Sequence, residues 1–186
     1  MSNRTIAIAL GVAVLGSAVL AGARDITEAV THWARLAPLP PGQPAPEFRL
    51  YGLAGGEIRG DDLEGSVAVM TFWATWCRVC RGELEDLDEL DDEYADREDV
   101  RFLAVNHEGR GLNRSQTTAV VRGYQRATGL GLPCALDDGS ASRAFGVGAI
   151  PHTVVFDREG TIRFVHQGRV TASTIRDEVD RLLQGE

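Results

Sequence analysis

The 186 residues are 44% hydrophobic and 25% charged, enough for one globular domain with a real core and too little for two. A net charge of -8 argues against general affinity for nucleic acid or anionic lipid surfaces. Three cysteines, an odd number, do not make the paired framework of a small secreted scaffold.

In chain order, a single early Arg4 precedes an uncharged run at positions 6–23, rich in Ala, Val, Leu and Gly, which reads as an export signal or a membrane anchor. Ala21-Gly22-Ala23 fits the small-x-small pattern of signal cleavage, yet the run is also about long enough to span a bilayer as one helix. With either outcome Arg4 favours an inside N-terminus, so the remainder is expected to be exported. Asp25-Ile26-Thr27-Glu28 looks like a capping box, and Ile26, Ala29, Val30, Trp33, Ala34 and Ala37 recur at helical spacing. Pro38, Pro40, Pro41, Pro44 and Pro46 then mark a stiff linker. The division expected is 1–23 signal or anchor, 24–41 amphipathic helix and linker, and 42–186 one domain.

From Gly42 on, strand-like and helix-like segments alternate, the pattern of an α/β domain with a central, mostly parallel sheet. Segments 48–50 and 57–59 flank Gly55-Gly56 as a hairpin, and 67–73 is an apolar run of the kind buried on both faces of a sheet. A helix is expected over about 77–94, with Leu84, Leu87, Leu90 and Tyr94 on one face. A strand follows at 101–106, then a helix carrying Val120, Val121, Tyr124 and Ala127 that ends at Gly129. Segments 153–156 and 162–166 form an antiparallel pair around Asp157-Arg158-Glu159-Gly160, and Ile175, Val179, Leu182 and Leu183 stripe a closing helix.

Cys77 and Cys80 fall where the apolar strand gives way to a helix. The first turn of a helix has unpaired N–H groups and a positive dipole end, which favour a thiolate at Cys77, and Arg78 and Arg81 push the same way. Residues three apart on a helix lie on neighbouring turns, so Cys80 can close a disulfide on Cys77 and resolve a mixed disulfide with substrate. A structural staple spanning two residues restrains the unfolded chain little. A zinc site needs two more ligands, and only Cys134 and the scattered His32, His107, His152 and His166 are at hand. Redox chemistry is therefore the expectation for this pair.

Phe72-Trp73-Ala74-Thr75-Trp76-Cys77-x-x-Cys80-x-x-Glu83, with Gly42-Gln43-Pro44-Ala45-Pro46-Glu47-Phe48 upstream and Val147-Gly148-Ala149-Ile150-Pro151 downstream, resembles the TlpA/ResA branch of the thioredoxin-like thiol-disulfide oxidoreductases. The resemblance runs from about Gly42 to the C-terminus. It implies a thioredoxin-like fold with a mixed central sheet flanked by helices, an N-terminal hairpin extension and a hydrophobic N-terminal helix. It also implies a periplasmic or extracytoplasmic site of action, tethered to the inner membrane or released after cleavage near Ala23. Members mostly keep client thiols reduced, for example during cytochrome c maturation. Expected partners are disulfide or dithiol client proteins and an upstream redox partner, with a membrane electron donor as one candidate; no cofactor or metal is called for.

By the same resemblance Cys77 and Cys80 are the redox pair, and Ile150-Pro151 is the cis-proline loop that offers the Ile150 backbone to an extended client segment beside the disulfide, with Trp76 at the rim. Glu83, one turn past Cys80, can take or relay the proton of that thiol; the other reading is a solvated carboxylate in the acidic run Glu85, Asp86, Asp88, Glu89, Asp91, Asp92 and Glu93. The family usually has proline where this chain has Val79 and Glu85, and threonine where it has His152. Arg78 and His152 are the candidate modulators: Arg78 favours the reduced thiolate form, which makes the disulfide more oxidising, and His152 either titrates near the site or is a loop histidine without a role. Cys134 reads as a buried, inert thiol rather than a third redox centre. Two alternatives on the same fold are a copper(I) metallochaperone, using the two thiolates with a histidine such as His152, and a peroxide-reducing protein.

Overall fold

The computed structural model describes residues 39–109 and 111–185. The signal or anchor segment and the amphipathic helix expected before residue 39 lie outside the described residues. Among the described residues no helix is long and apolar enough to cross a membrane.

Seven strands form one sheet in the order β2-β1-β5-β4-β3-β6-β7. They are β1 (Arg49–Gly52), β2 (Glu57–Arg59), β3 (Val67–Trp73), β4 (Val100–Asn106), β5 (Cys134–Leu136), β6 (His152–Phe156) and β7 (Ile162–Gln167). The helices are α1 (Arg78–Glu93), α2 (Arg114–Thr128), α3 (Ser140–Ala144) and α4 (Ala172–Leu183). Among the described residues only β3–β4 and β4–β5 pair in parallel, while β1–β2, β1–β5, β3–β6 and β6–β7 are antiparallel. The alternation of segments thus overstated the parallel share. It reports crossover helices where they exist, between β3 and β4 and between β4 and β5, but says nothing of how β6 enters beside β3. The sheet is mixed, with helices on both faces.

Right-handed crossovers put α1 and α2 on the same face of the sheet. There Leu84, Leu87 and Leu90 of α1, Val121 of α2 and Ile175, Val179 and Leu182 of α4 pack on Val67, Val69 and Trp73 of β3. The other face is closed by Phe48, Leu63, Ala141 and Phe145 against Ala68, Met70 and Phe72. Each β3 residue is buried, as a run apolar at every position but Thr71 requires for a central strand. α2 ends at Gly129 with φ of 80°, a left-handed cap that glycine adopts without steric cost.

Phe145 lies against the rings of Phe48, Phe72 and Phe156 and is 1% exposed. Phe145→Ala is expected to lower the unfolding free energy by about 3–5 kcal/mol, read from the urea midpoint at unchanged slope.

Candidate active site

β3 runs into the loop Ala74-Thr75-Trp76 and then into α1, whose N-cap is Cys77. Cys77 has extended backbone angles, φ -79° and ψ 100°, and its Sγ accepts the backbone N–H of Cys80 at 3.2 Å. The first turn carries no acidic side chain to oppose a thiolate there. Cys77 and Cys80 are joined by a disulfide, with Cα atoms 5.3 Å apart. Cys77 is half-buried and Cys80 is 1% exposed, so the first sulfur faces the approach and the second lies behind it.

Glu83 is not part of the solvated acidic face: it is 1% exposed. Its Oε1 accepts the hydroxyls of Thr71, at 3.0 Å, and Thr153, at 2.6 Å, and its Oε2 accepts the Val170 N–H at 2.9 Å. One buried carboxylate therefore ties α1 to β3, β6 and the turn before α4. The Thr153 and Thr71 hydroxyls are themselves 2.8 Å apart, which closes a triangle of three oxygens. Two hydroxyls supply two protons for these three contacts.

The loop before Cys77 is held from the other side by Glu108. Its carboxylate accepts the Thr75 N–H at 3.1 Å, the Thr75 hydroxyl at 2.5 Å and the Asn106 amide at 3.0 Å, and its carbonyl accepts the Trp76 indole N–H at 3.0 Å. Trp76, expected at the rim, is 64% exposed with this one tether. Glu108 was missed from sequence because the Thr75 and Trp76 groups it holds lie more than 30 residues away, beyond the reach of any local pattern; the polar Thr71 inside an otherwise apolar strand was the signal for the Glu83 network.

The Ile150–Pro151 bond is cis. Phe72 pairs with His152 in antiparallel register, so Pro151 stands beside the end of β3 from which the cysteine loop leaves. Cys77 and Ile150 pack against the same core cluster. The structure thus brings Trp76, Cys77, Cys80, Glu83, Ile150 and Pro151 to one end of the sheet.

His152 does not join them. Directly paired residues share a face, so His152 sits with Phe72 on the side opposite α1, its ring edge-on to Phe72 at 6.0 Å. It is 0% exposed and neither ring nitrogen has a partner. Burial, with a smaller push from His166, drives its pKa down to about 4. The expectation that it titrates near the site is corrected: it stays neutral through the working range, on the wrong face to serve the cysteines or a metal between them. Cys134, at the start of β5, is also buried; burial and then Asp88 push its thiol up to about 12, which leaves it unreactive. Arg78 and Arg81 are exposed and have no ion-pair or hydrogen-bond partner among the described residues.

A mixed sheet with a cis-proline loop facing a Cys-x-x-Cys pair at a helix start defines a thioredoxin-like thiol-disulfide oxidoreductase. The chain belongs to the AhpC/TSA family, which it matches over residues 41–165. It is 32% identical over 139 residues to the thioredoxin-like protein YneN of Bacillus subtilis, covering 75% of this chain and 78% of the relative. It is 31% identical over 142 residues to the thiol-disulfide oxidoreductase ResA of Geobacillus thermodenitrificans, covering 76% and 77% of the two chains. The solved exposed lipoprotein thioredoxin of Streptococcus pneumoniae superposes with a TM-score of 0.63 at 28% identity, over 73% of this chain and 99% of that one.

Glu83→Ala removes the acceptor of three hydrogen bonds, leaving the Thr71 and Thr153 hydroxyls only each other and the Val170 N–H nothing, and is expected to cost about 2–4 kcal/mol of stability, with Glu83→Gln recovering part of it in the same denaturation assay. His152 predicts an acid effect. Its folded pKa of about 4 lies below the unfolded value of 6.5, so on acidification the unfolded chain takes up the proton first. Stability is lost as pH falls from about 6.5 to about 4, by up to about 3 kcal/mol, and regained as pH rises. Denaturation curves at pH 7 and pH 4 should show a drop of that size in the parent that is missing from His152→Thr.

Proposed function

We propose that the protein exchanges disulfides with protein clients outside the cytoplasm, as a reductant, with Cys77 attacking and Cys80 resolving. The observation that carries the attacking role is the seat of Cys77: an N-cap sulfur that accepts a helix N–H, in a first turn free of carboxylates, half-open to an approaching client; the reductant direction is supported by the resemblance to ResA.

In the reduced protein the Cys77 thiolate attacks one sulfur of a client disulfide, forming a Cys77–client bond and releasing the other client sulfur as a thiolate. Cys80 then loses its proton and attacks Cys77 Sγ, which re-forms the Cys77–Cys80 disulfide and releases the second client thiolate. Two electrons pass from the protein dithiol to the client. Cys80 is enclosed, and Glu83, one turn further on and hydrogen-bonded to Thr71 and Thr153, is the group we assign to take or relay the proton that Cys80 gives up. The Pro151 loop beside the end of β3 offers the Ile150 backbone to an extended client segment, and Trp76 forms the rim. An upstream redox partner, such as a membrane electron donor, restores the dithiol.

The export-like positions 6–23 and the resemblance to ResA support work in the periplasm or another extracytoplasmic space, by a chain tethered through its N-terminal segment or released near Ala23. The same resemblance supports maturation of cytochrome c as one use, the clients being cysteines held reduced for later chemistry.

Insulin reduction checks the thiol roles: Cys77→Ser is expected to lose all activity over background, and Cys80→Ser to accumulate a client mixed disulfide that a neutral thiol releases. Full activity in Cys77→Ser would refute the assignment. Equilibration with glutathione checks direction, since a Cys77–Cys80 potential near about -270 mV supports a reductant and one near about -120 mV an oxidant.

A further inference from the structure

The rim around Cys77 is assembled against ordinary helix electrostatics. Arg78 and Arg81 are the first and fourth residues of α1, three apart and therefore neighbours on its surface. Two cations side by side repel, and at a helix N-terminus each also faces the positive end of the dipole. Both are exposed and neither has a partner among the described residues. Arg169, by contrast, lies over Gly82 and is neutralised by Asp86 at 2.9 Å.

The nearby carboxylates do not cancel the pair. Glu83 is buried among its three donors, and Glu108 is turned into the Thr75 loop. Glu85 stands one turn below Arg81, and the rest of the acidic stripe runs further down α1, away from the sulfur. In the reduced state the Cys77 thiolate supplies one negative charge against two positive. A chain of net charge -8 therefore presents a small basic collar at its reactive end, and Val79, 58% exposed, and Trp76, 64% exposed, lie within it.

Resting on the oxidoreductase reading above, we propose that this collar is a docking surface for client segments that carry Asp or Glu beside the reacting cysteine. A carboxylate on the client would relieve both the Arg78–Arg81 repulsion and the clash with the dipole, while Trp76 and Val79 cover the apolar part of the same segment. The surrounding acidic surface adds discrimination, because beyond the collar it repels acidic partners, so the approach is favoured only at the cysteine end. The arginines thereby select clients as well as stabilise the Cys77 thiolate. The two effects separate cleanly: stabilising the thiolate alters exchange with every client alike, whereas docking alters the ratio between clients.

The test uses three synthetic peptide disulfides that differ only in having Glu, Gln or Lys on both sides of the cysteine. The pre-reduced protein is reacted with each, and every second-order rate is divided by that of the same peptide with 2-mercaptoethanol, which removes differences in intrinsic disulfide reactivity. At low salt the normalised rate for the Glu peptide is expected to exceed that for the Lys peptide by about tenfold, two rim contacts contributing about threefold each. At about 0.5 M salt the ratio should shrink towards one. Arg78→Glu together with Arg81→Glu should invert it. Equal normalised rates for the parent, or a double variant that slows all three peptides by the same factor, would overturn the docking role while leaving the oxidoreductase reading intact. No exchange with any peptide would overturn that reading and this one with it.

Discussion

The carboxylate of Glu83 is the contact on which the reactive end depends. A buried carboxylate is costly unless its lone pairs are filled, and here donors come from three separate segments: Thr71 in β3, Thr153 in β6 and the Val170 backbone before α4. Since Glu83 lies in the second turn of α1, satisfying it fixes where that helix starts relative to the sheet. The N-cap position of Cys77, and with it the sulfur's access to the Cys80 N–H, follows from that placement. Structure and chemistry are coupled through one side chain, so a change that relaxes the network also moves the thiol.

A second anchor acts on the opposite flank. Glu108 collects the N–H and hydroxyl of Thr75 and the amide of Asn106, and its carbonyl holds the Trp76 indole. The loop that delivers Cys77 is therefore gripped from β4's end as well as from below. Beyond these supports Trp76, Arg78, Val79 and Arg81 stand exposed around the half-buried Cys77. A rigid base under a small exposed tip suits exchange with many extended clients, because the sulfur's position does not depend on which client arrives.

How much of this could be read from the residues depends on the range of the interaction. The apolar run of β3, the leucine stripe of α1 and the glycine that ends α2 are local patterns, and each falls where its spacing places it. The five residues of α3 are too short to express a period, so that helix escaped notice. His152 was misread for a related reason. Every residue of β6 is buried, which removes the alternation that would assign a side chain to one face or the other. A polar residue after a proline then looks like a loop residue, although its pairing with Phe72 turns it into the far core. Glu83 was legible in place but not in partners: the motif pointed to it, while the threonines that hold it lie 12 and 70 residues away.

The dipeptide between the cysteines shows how a small departure from the family pattern changes the physics at the sulfur. Proline, usual in relatives at the position of Val79, has no N–H; valine restores one in the first turn of α1, next to the Cys80 N–H that Cys77 Sγ already accepts. Arg78 adds a full charge one residue away. Both changes favour the thiolate, and a stabilised reduced form makes the corresponding disulfide a stronger oxidant. The buried side of the pair is built differently, for Cys80 is 1% exposed and lies in the apolar core cluster that also holds Leu84. The two sulfurs are thus pulled apart in character, one tuned by exposed charge and free helix donors, the other by burial. The side chains of the first set can vary without repacking the second, because residues 78 and 79 are exposed whereas Cys80 is enclosed in the core.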